Sequence, residues 1–249
     1  MRRPPPPVDR APAALDDETL ADTLDSLDGA ANYRDWIVSL FAPAIEAPIL
    51  EVGAGRGTFT GALAAFGAVH AVEPVAGAVA ILQETFADDP RVSVTHGVVE
   101  DLPDEPRYAA AVLSNVLEHI EDDEAALRAI GRRLLPGGAV CLFVPAFPLL
   151  YSRFDALVGH HRRYRRSGLV ALVERAGFRV EQARYVNAPG WVSWLVMARL
   201  LGRIPTGRAT VMLFDRGLVP VVRLVESRLT PPFGQSILVV ARRPDAPAG

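Results

Sequence analysis

The feature that most constrains this chain is a regular alternation of short apolar runs and helical patterns between residues 48 and 144. Predicted strands occupy residues 48–52, 68–72, 92–95, 108–114 and 139–144. Predicted helices lie between them, at residues 58–66, 75–86 and 123–135. Because strands joined by helical crossovers pair in parallel, with helices on both faces, the pattern predicts an α/β, Rossmann-like sheet. We expect the loops at 53–57, 73–74, 97–102 and 114–119 to converge at the carboxyl edge of that sheet.

The rest of the chain completes this organisation. We predict a helix at 165–176, ended by Gly177, and two more strands at 178–186 and 236–241. We divide the chain into a disordered tail (1–14), N-terminal helices (15–46), one domain (47–243) and a short tail (244–249). The N-terminal helices are placed at 15–27 and 33–45, with Asn32 as a candidate N-cap and a break at Pro43. Within the domain, the apolar stretch 187–234 is predicted to form a cap over the ligand edge, with helices at 191–201 and 210–229.

Charge is distributed unevenly along the chain. The formal net charge is −3 and all 26 basic residues are arginine. Residues 1–130 carry 8 Arg and 23 Asp or Glu, whereas residues 131–249 carry 18 Arg and 6 Asp or Glu. Either the basic half meets an anionic partner, or the two halves attract each other.

The segment Glu51-Val52-Gly53-Ala54-Gly55-Arg56-Gly57 lies directly between a predicted strand and a predicted helix. Glycines at alternate positions permit a tight turn and let a ligand lie against bare backbone. Glu73 ends the next strand, where a carboxylate can accept both hydroxyls of a ribose. The pattern therefore predicts a site for an adenosine-containing cofactor, and the alternative is a plain strand–helix turn with a surface glutamate.

The spacing of the glycines discriminates between cofactors. A dinucleotide fingerprint has the order G-x-G-x-x-G or G-x-G-x-x-A, but here the order is G-x-G-x-G, with Thr58 three residues after Gly55. Glu51 would also repel a nearby pyrophosphate while tolerating a cationic amino-acid group. These features favour a zwitterionic sulfonium ligand over NAD.

Five segments with family-like patterns follow one another in a fixed order: Glu51–Gly57, Ala71–Pro74, Glu100–Pro103, Ser114–Ile120 and Leu134–Gly138. Together they resemble the motifs of class I S-adenosylmethionine-dependent methyltransferases, over residues 45–187 and 233–243. The stretches Asp155–Tyr164 and Pro232–Ser236 are also similar to an uncharacterised bacterial subgroup of small-molecule methyltransferases. The resemblance implies a seven-stranded, mostly parallel sheet with an antiparallel last strand, and S-adenosyl-L-methionine as the cofactor.

The resemblance also implies cofactor contacts. Gly53, Gly55 and Gly57 would pack against the methionine part of the cofactor, Glu51 would help to hold its ammonium group, and Glu73 would bind the ribose. Asn115, after the fourth strand, would contribute near the methionine part through its backbone.

The loop after the third strand departs from the family pattern. The family usually places Gly-Asp-Ala where this chain has Gly97-Val98-Val99, so the acid that contacts the adenine amino group is missing there. Either Glu100 takes over that contact or backbone groups near Val99 suffice.

Candidate catalytic residues lie beyond the cofactor motifs. His119 follows the fourth strand and has an ordinary pKa that suits a general base, although it can equally cap or pack the following turn. His160, His161, Arg162, Arg163 and Tyr164 begin the densest polar cluster of the chain.

We assign catalytic roles to the three histidines and substrate-binding roles to Arg162, Arg163 and Tyr164, because arginines fork onto carboxylate or phosphate oxygens. At least one of His160, His161 and Arg162 is expected to contact an anionic acceptor. The alternative is a solvated helix start that neutralises the acidic half.

The aromatic and methionine residues of the cap suggest an apolar acceptor. They either cover a hydrophobic substrate, dock on a membrane surface, or pack as ordinary core: Trp191, Trp194, Met197, Met212 and Phe214. With the arginines, they suggest a small, lipid-linked or polyketide-like acidic acceptor.

Several functions are disfavoured. The chain lacks an Asn-Pro-Pro-Tyr-like segment and a Pro-Cys loop, as well as recognisable stacking modules, so nucleic acid is not the expected partner. His70 and His96 stand singly in strands, and no set of histidines and acids has metal-ligand spacing, so no metal is expected. Cys141 is a lone cysteine and no apolar run reaches about 18 residues, which favours a cytoplasmic protein without a membrane-spanning segment, although peripheral membrane contact stays open.

The sequence therefore predicts methyl transfer from S-adenosylmethionine to a small or lipid-like molecule, at oxygen rather than carbon or nitrogen. Two alternatives stay open. One is an NAD-dependent Rossmann oxidoreductase, and the other is a catalytically silent cofactor-binding protein that regulates a partner.

Overall fold

Seven strands form one mixed sheet in the computed structural model, which describes residues 30–200 and 208–245. The strands are β1 (Ile49–Val52), β2 (Val69–Glu73), β3 (Val92–His96), β4 (Tyr108–Ser114), β5 (Leu134–Pro145), β6 (Arg179–Val186) and β7 (Ser236–Arg242). Their order across the sheet is β3-β2-β1-β4-β5-β7-β6, and β7 is antiparallel to both of its neighbours. The predicted fold class is confirmed. The strand order reverses between β1 and β4, which start their crossovers in opposite directions and leave a crevice at their carboxyl ends.

Helices connect the strands in the predicted positions. The α-helices are α1 (Ala31–Phe41), α2 (Thr60–Leu63), α3 (Ala76–Thr85), α4 (Asp123–Arg133), α5 (Arg153–Leu157), α6 (Arg166–Arg175), α7 (Ala188–Trp194), α8 (Arg208–Leu213) and α9 (Val219–Glu226). The helix predicted at 58–66 is shorter than expected, because it tightens into a 3₁₀ turn at Ala64–Phe66. Gly67 ends that turn with a φ of 136°, a conformation that an L side chain avoids.

Side-chain alternation along the central strands sends successive residues to two separate cores. In β5, Leu142 packs into the core beneath α4 and α6, whereas Phe143 packs into the core beneath α1. The two residues are fully buried, as is Cys141, for which burial raises the pKa of the thiol to about 12. Covering the sheet on both faces explains why its strands read as continuous apolar runs.

The N-terminal helix corrects one sequence prediction. Asn32 is not the N-cap, since α1 already begins at Ala31. The buried carboxylate of Asp215, in the cap, accepts the backbone N–H of Tyr33 at 2.8 Å and the Asn32 amide at 3.0 Å. A remote aspartate therefore performs the capping that a local asparagine was expected to provide, worth about 0.5–2 kcal/mol.

The two helical parts of the stretch inserted between β6 and β7 pack in different places. In α7, Trp194 donates its indole N–H to the carbonyl of Leu150, in the loop after β5, at 3.1 Å. This segment lies at the carboxyl edge of the sheet, where the cap was predicted. In α9, Val219 and Val222 pack instead with the α1 core on a face of the sheet, so the second cap helix does not cover the ligand edge.

Ion pairs link the two oppositely charged halves of the chain. Arg162 pairs with Asp123 at 2.7 Å, and Arg175 pairs with Glu124 at 3.0 Å. These contacts support attraction between the halves as one reason for the uneven charge. The helix predicted at 15–27 and the tail at 1–14 lie outside the described residues. Within the described ranges, no helix is both long and apolar enough to cross a membrane.

Candidate active site

The loop after β1 turns on glycines in left-handed conformations. Gly53 has a φ of 69° and Gly55 a φ of 57°. A side chain at Gly53 would collide with Val116, since its Cβ would lie 2.6 Å from a Val116 methyl group. A Cβ at Gly55 would meet nothing within 4 Å. The backbone at Gly55 therefore borders open space into which a ligand can fit closely.

The loops after β1, β2 and β3 converge on Glu73, as predicted. The backbone N–H groups of Gly55 and Val75 donate to its two carboxylate oxygens at 2.8 and 2.9 Å. The Gly97 N–H donates to the Glu73 backbone carbonyl at 3.0 Å. The carboxylate thereby lies beside the open face of Gly55, although it is largely buried itself.

Glu51 is a buried acid with little compensation. It is only 4% exposed, and the Thr60 hydroxyl donates to it at 2.6 Å. Burial raises the pKa of Glu51 to about 8; the Thr60 hydrogen bond acts against this rise and the nearby Glu73 charge adds to it. A cation placed beside Glu51 would favour its ionised form.

The loop after β3 is held by Arg133, a residue that sequence analysis did not single out. Val99 is buried and Glu100 is exposed in a short 3₁₀ turn. The buried Arg133 donates to the carbonyls of Glu100, at 3.1 Å, and Leu102. Asp101 accepts the Val98 N–H at 2.9 Å within the same loop. The contact of Glu100 or of the Val99 backbone with adenine stays a prediction.

Asn115 follows β4 with a φ of 54° and donates its N–H to the Phe143 carbonyl at 2.7 Å. An asparagine tolerates this left-handed conformation better than most residues. It brings the segment after β4, including Val116, against the glycine loop.

His119 and His160 meet edge to face beside the segment after β4. Their ring centroids lie 4.6 Å apart with an interplanar angle of 85°. Partial desolvation and the neighbouring His160 lower the pKa of His119 to about 4. The imidazole is therefore neutral near pH 7 but only a weak base, which weakens the general-base hypothesis without removing the ring from the site.

Beside these rings, Glu118 is fully buried and neither of its carboxylate oxygens has a hydrogen-bond partner among the described residues. Burial raises the pKa of Glu118 to about 8, and the residue's own backbone N–H group and the positive charge of Arg163 counteract this only in part. Sequence reasoning passed over Glu118 because a single glutamate after a strand carries no local signal of its burial.

The arginine cluster is already paired within the protein. Arg163 is buried and donates to both oxygens of Asp155, at 2.6 and 3.2 Å. Burial opposes ionisation of Asp155, but the His160 hydrogen bond and the Arg163 charge hold its pKa below the usual range. Arg163 therefore acts first as a structural partner, and its predicted role in substrate binding stays a prediction.

Its neighbours divide in the same way. Arg162 donates to Asp123 at 2.7 Å and to the Glu121 carbonyl at 2.7 Å, and the buried Tyr164 hydroxyl also reaches Asp123, at 3.1 Å. His161 is exposed and donates its backbone N–H to the Glu118 carbonyl at 2.8 Å. Of Arg162, Tyr164 and His161, only His161 is exposed to solvent.

Spacing along the chain predicted no set of metal ligands, but the fold brings one candidate group together. Ligand atoms of Glu118, His119 and His160 all lie within 4.8 Å of one another. The sequence hid this group because His160 comes from a distant loop. The outlying histidines do serve structure, as predicted: His70 bonds to Tyr108 at 2.6 Å.

Comparison with known proteins agrees with this geometry. A family model described as a methyltransferase domain matches residues 27–183. The chain therefore belongs to the methyltransferase domain family, of the class I S-adenosylmethionine-dependent type. Membership of this family confirms S-adenosylmethionine, the cofactor predicted from the sequence.

Individual relatives add detail. A demethylmenaquinone methyltransferase of Clavibacter sepedonicus is 32% identical over 142 residues, which make up 54% of this chain and only 58% of that protein. An S-adenosylmethionine-dependent methyltransferase of Mesorhizobium loti superposes with a TM-score of 0.59 at 16% identity, over 87% of this chain and all of that one. Phosphoethanolamine N-methyltransferase 2 of Haemonchus contortus, solved with S-adenosylmethionine, has a TM-score of 0.60 at 19% identity, over 86% of this chain and 53% of that one. The two structures establish the likeness of fold.

The residues present fit S-adenosylmethionine. Its ammonium group needs negative charge, which Glu51 can supply. Its ribose needs a carboxylate at a strand end, which is where Glu73 lies. The open face of Gly55 provides room for close approach. The individual contacts stay predictions.

Proposed function

We propose that this protein transfers the methyl group of S-adenosylmethionine to a hydroxyl oxygen of a small or lipid-like apolar acceptor. The observation that carries this proposal is a buried, poorly compensated Glu51 close to an open glycine backbone at the carboxyl edge of the sheet. A buried carboxylate of this kind favours a cationic ligand over the anionic pyrophosphate of NAD.

The chemistry asks little of the protein beyond placement. The sulfonium is already activated, so in-line positioning of the acceptor oxygen supplies much of the rate. The oxygen forms a bond to the methyl carbon, the carbon–sulfur bond breaks, and the hydroxyl proton leaves to a base or to water. His119 is neutral near pH 7 and stands beside the segment that carries Asn115, where it can orient such a hydroxyl.

An aromatic wall supports an apolar acceptor. Phe147 stacks on Tyr185 at 4.7 Å between centroids, and Trp191 packs against both Phe147, at 6.1 Å, and Phe233, at 5.0 Å. The buried indole nitrogen of Trp191 has no hydrogen-bond partner among the described residues. This aromatic cluster is the candidate lining for an apolar acceptor, because small-molecule sites are mostly apolar with a few polar groups.

The first experiment is calorimetric titration with S-adenosylmethionine, S-adenosylhomocysteine and NAD in parallel. We expect binding of the first two ligands and none of NAD. Binding of NAD alone would support the oxidoreductase alternative. Binding of the methyl donor without turnover on a panel of phenols, hydroxy acids and quinols would favour the silent regulatory protein.

A second candidate is methylation of a ring carbon of a quinol, which the name of the Clavibacter sepedonicus relative favours. Product analysis separates the two candidates. A methyl ether shows a methyl resonance bonded to oxygen, whereas a C-methylated ring keeps both hydroxyl groups.

A further inference from the structure

We propose that Glu118, His119 and His160 bind a divalent transition-metal ion of the zinc class. One ligand atom from each residue lies within 4.8 Å of the other two. Two ligands at about 2.0–2.1 Å from a tetrahedral ion are roughly 3.4 Å apart, so small side-chain rotations suffice to close the group on an ion.

The buried carboxylate of Glu118 is the first independent sign of a ligand. Its side chain has no solvent exposure and neither oxygen accepts a hydrogen bond from the described residues. The nearest imidazole nitrogen, Nε2 of His160, is 3.8 Å from Oε1, which is too far for a hydrogen bond. Buried carboxylates normally have hydrogen-bond or ionic partners. A cation between Oε1 of Glu118 and Nε2 of His160 would therefore give both atoms a partner.

The setting of His160 is the second sign. Its Nδ1 lies 2.9 Å from Asp155, so the Nδ1–H group donates a hydrogen bond to that carboxylate. The lone pair of Nε2 then faces Glu118. Asp155 is itself fixed by Arg163 and by the Ser152 N–H, at 2.8 Å. A carboxylate that orients an imidazole in this way is the usual outer-shell partner of a metal-bound histidine.

The ligand types define the class of metal. Two imidazoles and one carboxylate suit Zn²⁺ or a neighbouring transition-metal ion, whereas Mg²⁺ and Ca²⁺ prefer oxygen ligands. Three protein ligands leave at least one coordination position open, as in catalytic zinc sites.

The site adjoins the proposed reaction centre. Glu118 and His119 follow Asn115 and Val116, and Val116 lies against the glycine loop. If the proposed methyl transfer is correct, the ion would bind the acceptor oxygen and help its proton leave to solvent, so that the oxygen can attack the methyl carbon. This role rests on the proposed function, but binding of the ion does not.

The test uses the whole chain, stripped with a chelator and titrated with Co²⁺, Zn²⁺ and Mg²⁺ without any methyl donor. We expect one equivalent of Co²⁺ to give visible d–d absorption that Zn²⁺ displaces. His160→Ala and Glu118→Gln should weaken binding at least about 10- to 100-fold, the scale seen when even outer-shell partners are lost. His96→Ala is the matched control, because this exposed histidine at the end of β3 lies outside the group, and it should bind like the wild type.

Three results would overturn the proposal: no binding by the wild type, binding of Mg²⁺ but not of Zn²⁺, or equal binding by wild type and both ligand variants. Equal loss in His96→Ala would overturn the assignment of the ligands. Circular dichroism and binding of S-adenosylhomocysteine verify the fold of each variant, and His119→Ala, at an exposed ligand, replaces any variant that fails to fold. Because metal titration and cofactor calorimetry are separate measurements, failure of this site leaves the methyltransferase proposal standing, and the reverse also holds.

Discussion

The two sides of the crevice treat charge in opposite ways. On the cofactor side, Glu51 is buried and accepts a hydrogen bond from the Thr60 hydroxyl, and burial raises its pKa to about 8. On the acceptor side, the arginines expected to bind substrate are already neutralised, Arg163 by Asp155 and Arg162 by Asp123. A buried acid without a counter-charge is stabilised in its ionised form by a ligand of opposite sign, whereas a charge that is already paired mainly supports the fold. The comparison indicates a cationic cofactor and gives no support to an anionic acceptor.

The largest effect should come from breaking the buried pair. Arg163→Ala leaves the Asp155 carboxylate buried without its strongest partner, so we expect the free energy of unfolding to fall by about 3–5 kcal/mol. Chemical denaturation measures this loss, with the exposed neighbour Arg165→Ala as the control that should change little. Loss of acceptor turnover with unchanged stability and cofactor binding would instead make Arg163 a substrate ligand and break the comparison.

The next effect concerns the strand-end acid. Glu73→Ala should weaken binding of S-adenosylmethionine about 10- to 100-fold, because hydrogen bonds to a charged group contribute about 1.5–3 kcal/mol. Calorimetry measures the change. Glu84→Ala, on an exposed part of α3, serves as the control. Unchanged affinity in Glu73→Ala would place the ribose elsewhere.

A third prediction concerns protons. If the ammonium group of the cofactor lies beside Glu51, binding at pH 7 should release up to about one proton, since a group with a pKa near 8 is mostly protonated beforehand. Calorimetry in buffers of different ionisation enthalpy measures that release, and Glu51→Gln should abolish it. An identical release from the variant would show that another group supplies the proton.

Glu51 also makes the stability of the folded protein depend on pH. Its folded pKa of about 8 lies above the ordinary value of 4.5, so the folded protein holds the proton more tightly than the unfolded chain. The contribution is therefore full below about pH 4.5 and declines as the pH rises towards 8. Denaturation across this range should show a weaker decline in Glu51→Gln than in the wild type.

The smallest effect should follow from the partly exposed pair. Arg162→Ala should cost no more than about 1 kcal/mol of stability, because such ion pairs are screened by solvent. The double variant His161→Ala, Arg162→Ala sharpens the comparison further. Turnover of the acceptor at the wild-type rate would refute an anion contact by these two side chains, whereas a raised KM for an acidic acceptor alone would restore it.

The sequence was most informative where function and fold depend on neighbouring residues. The glycine loop, Glu73 at the end of β2 and the alternating strands and helices are local patterns, because a tight turn and a covered strand impose their requirements on adjacent positions. For this reason the sheet and the cofactor class could be predicted, whereas the antiparallel last strand was implied only by the family resemblance. Asn32 shows the limit of that reasoning, since a plausible local cap yielded to Asp215 from the distant cap.

Only the tertiary structure decided which residues distant in the sequence pair with each other. Whether Arg163 faces substrate or Asp155, whether Glu118 is solvated or buried, and whether His160 reaches Glu118 all depend on how the loop after β5 packs against the segment after β4. Charge interactions depend on distance and burial, which residue types do not specify. The amino-acid sequence therefore determined the sheet and the type of cofactor, and packing determined which charged side chains remain free to act.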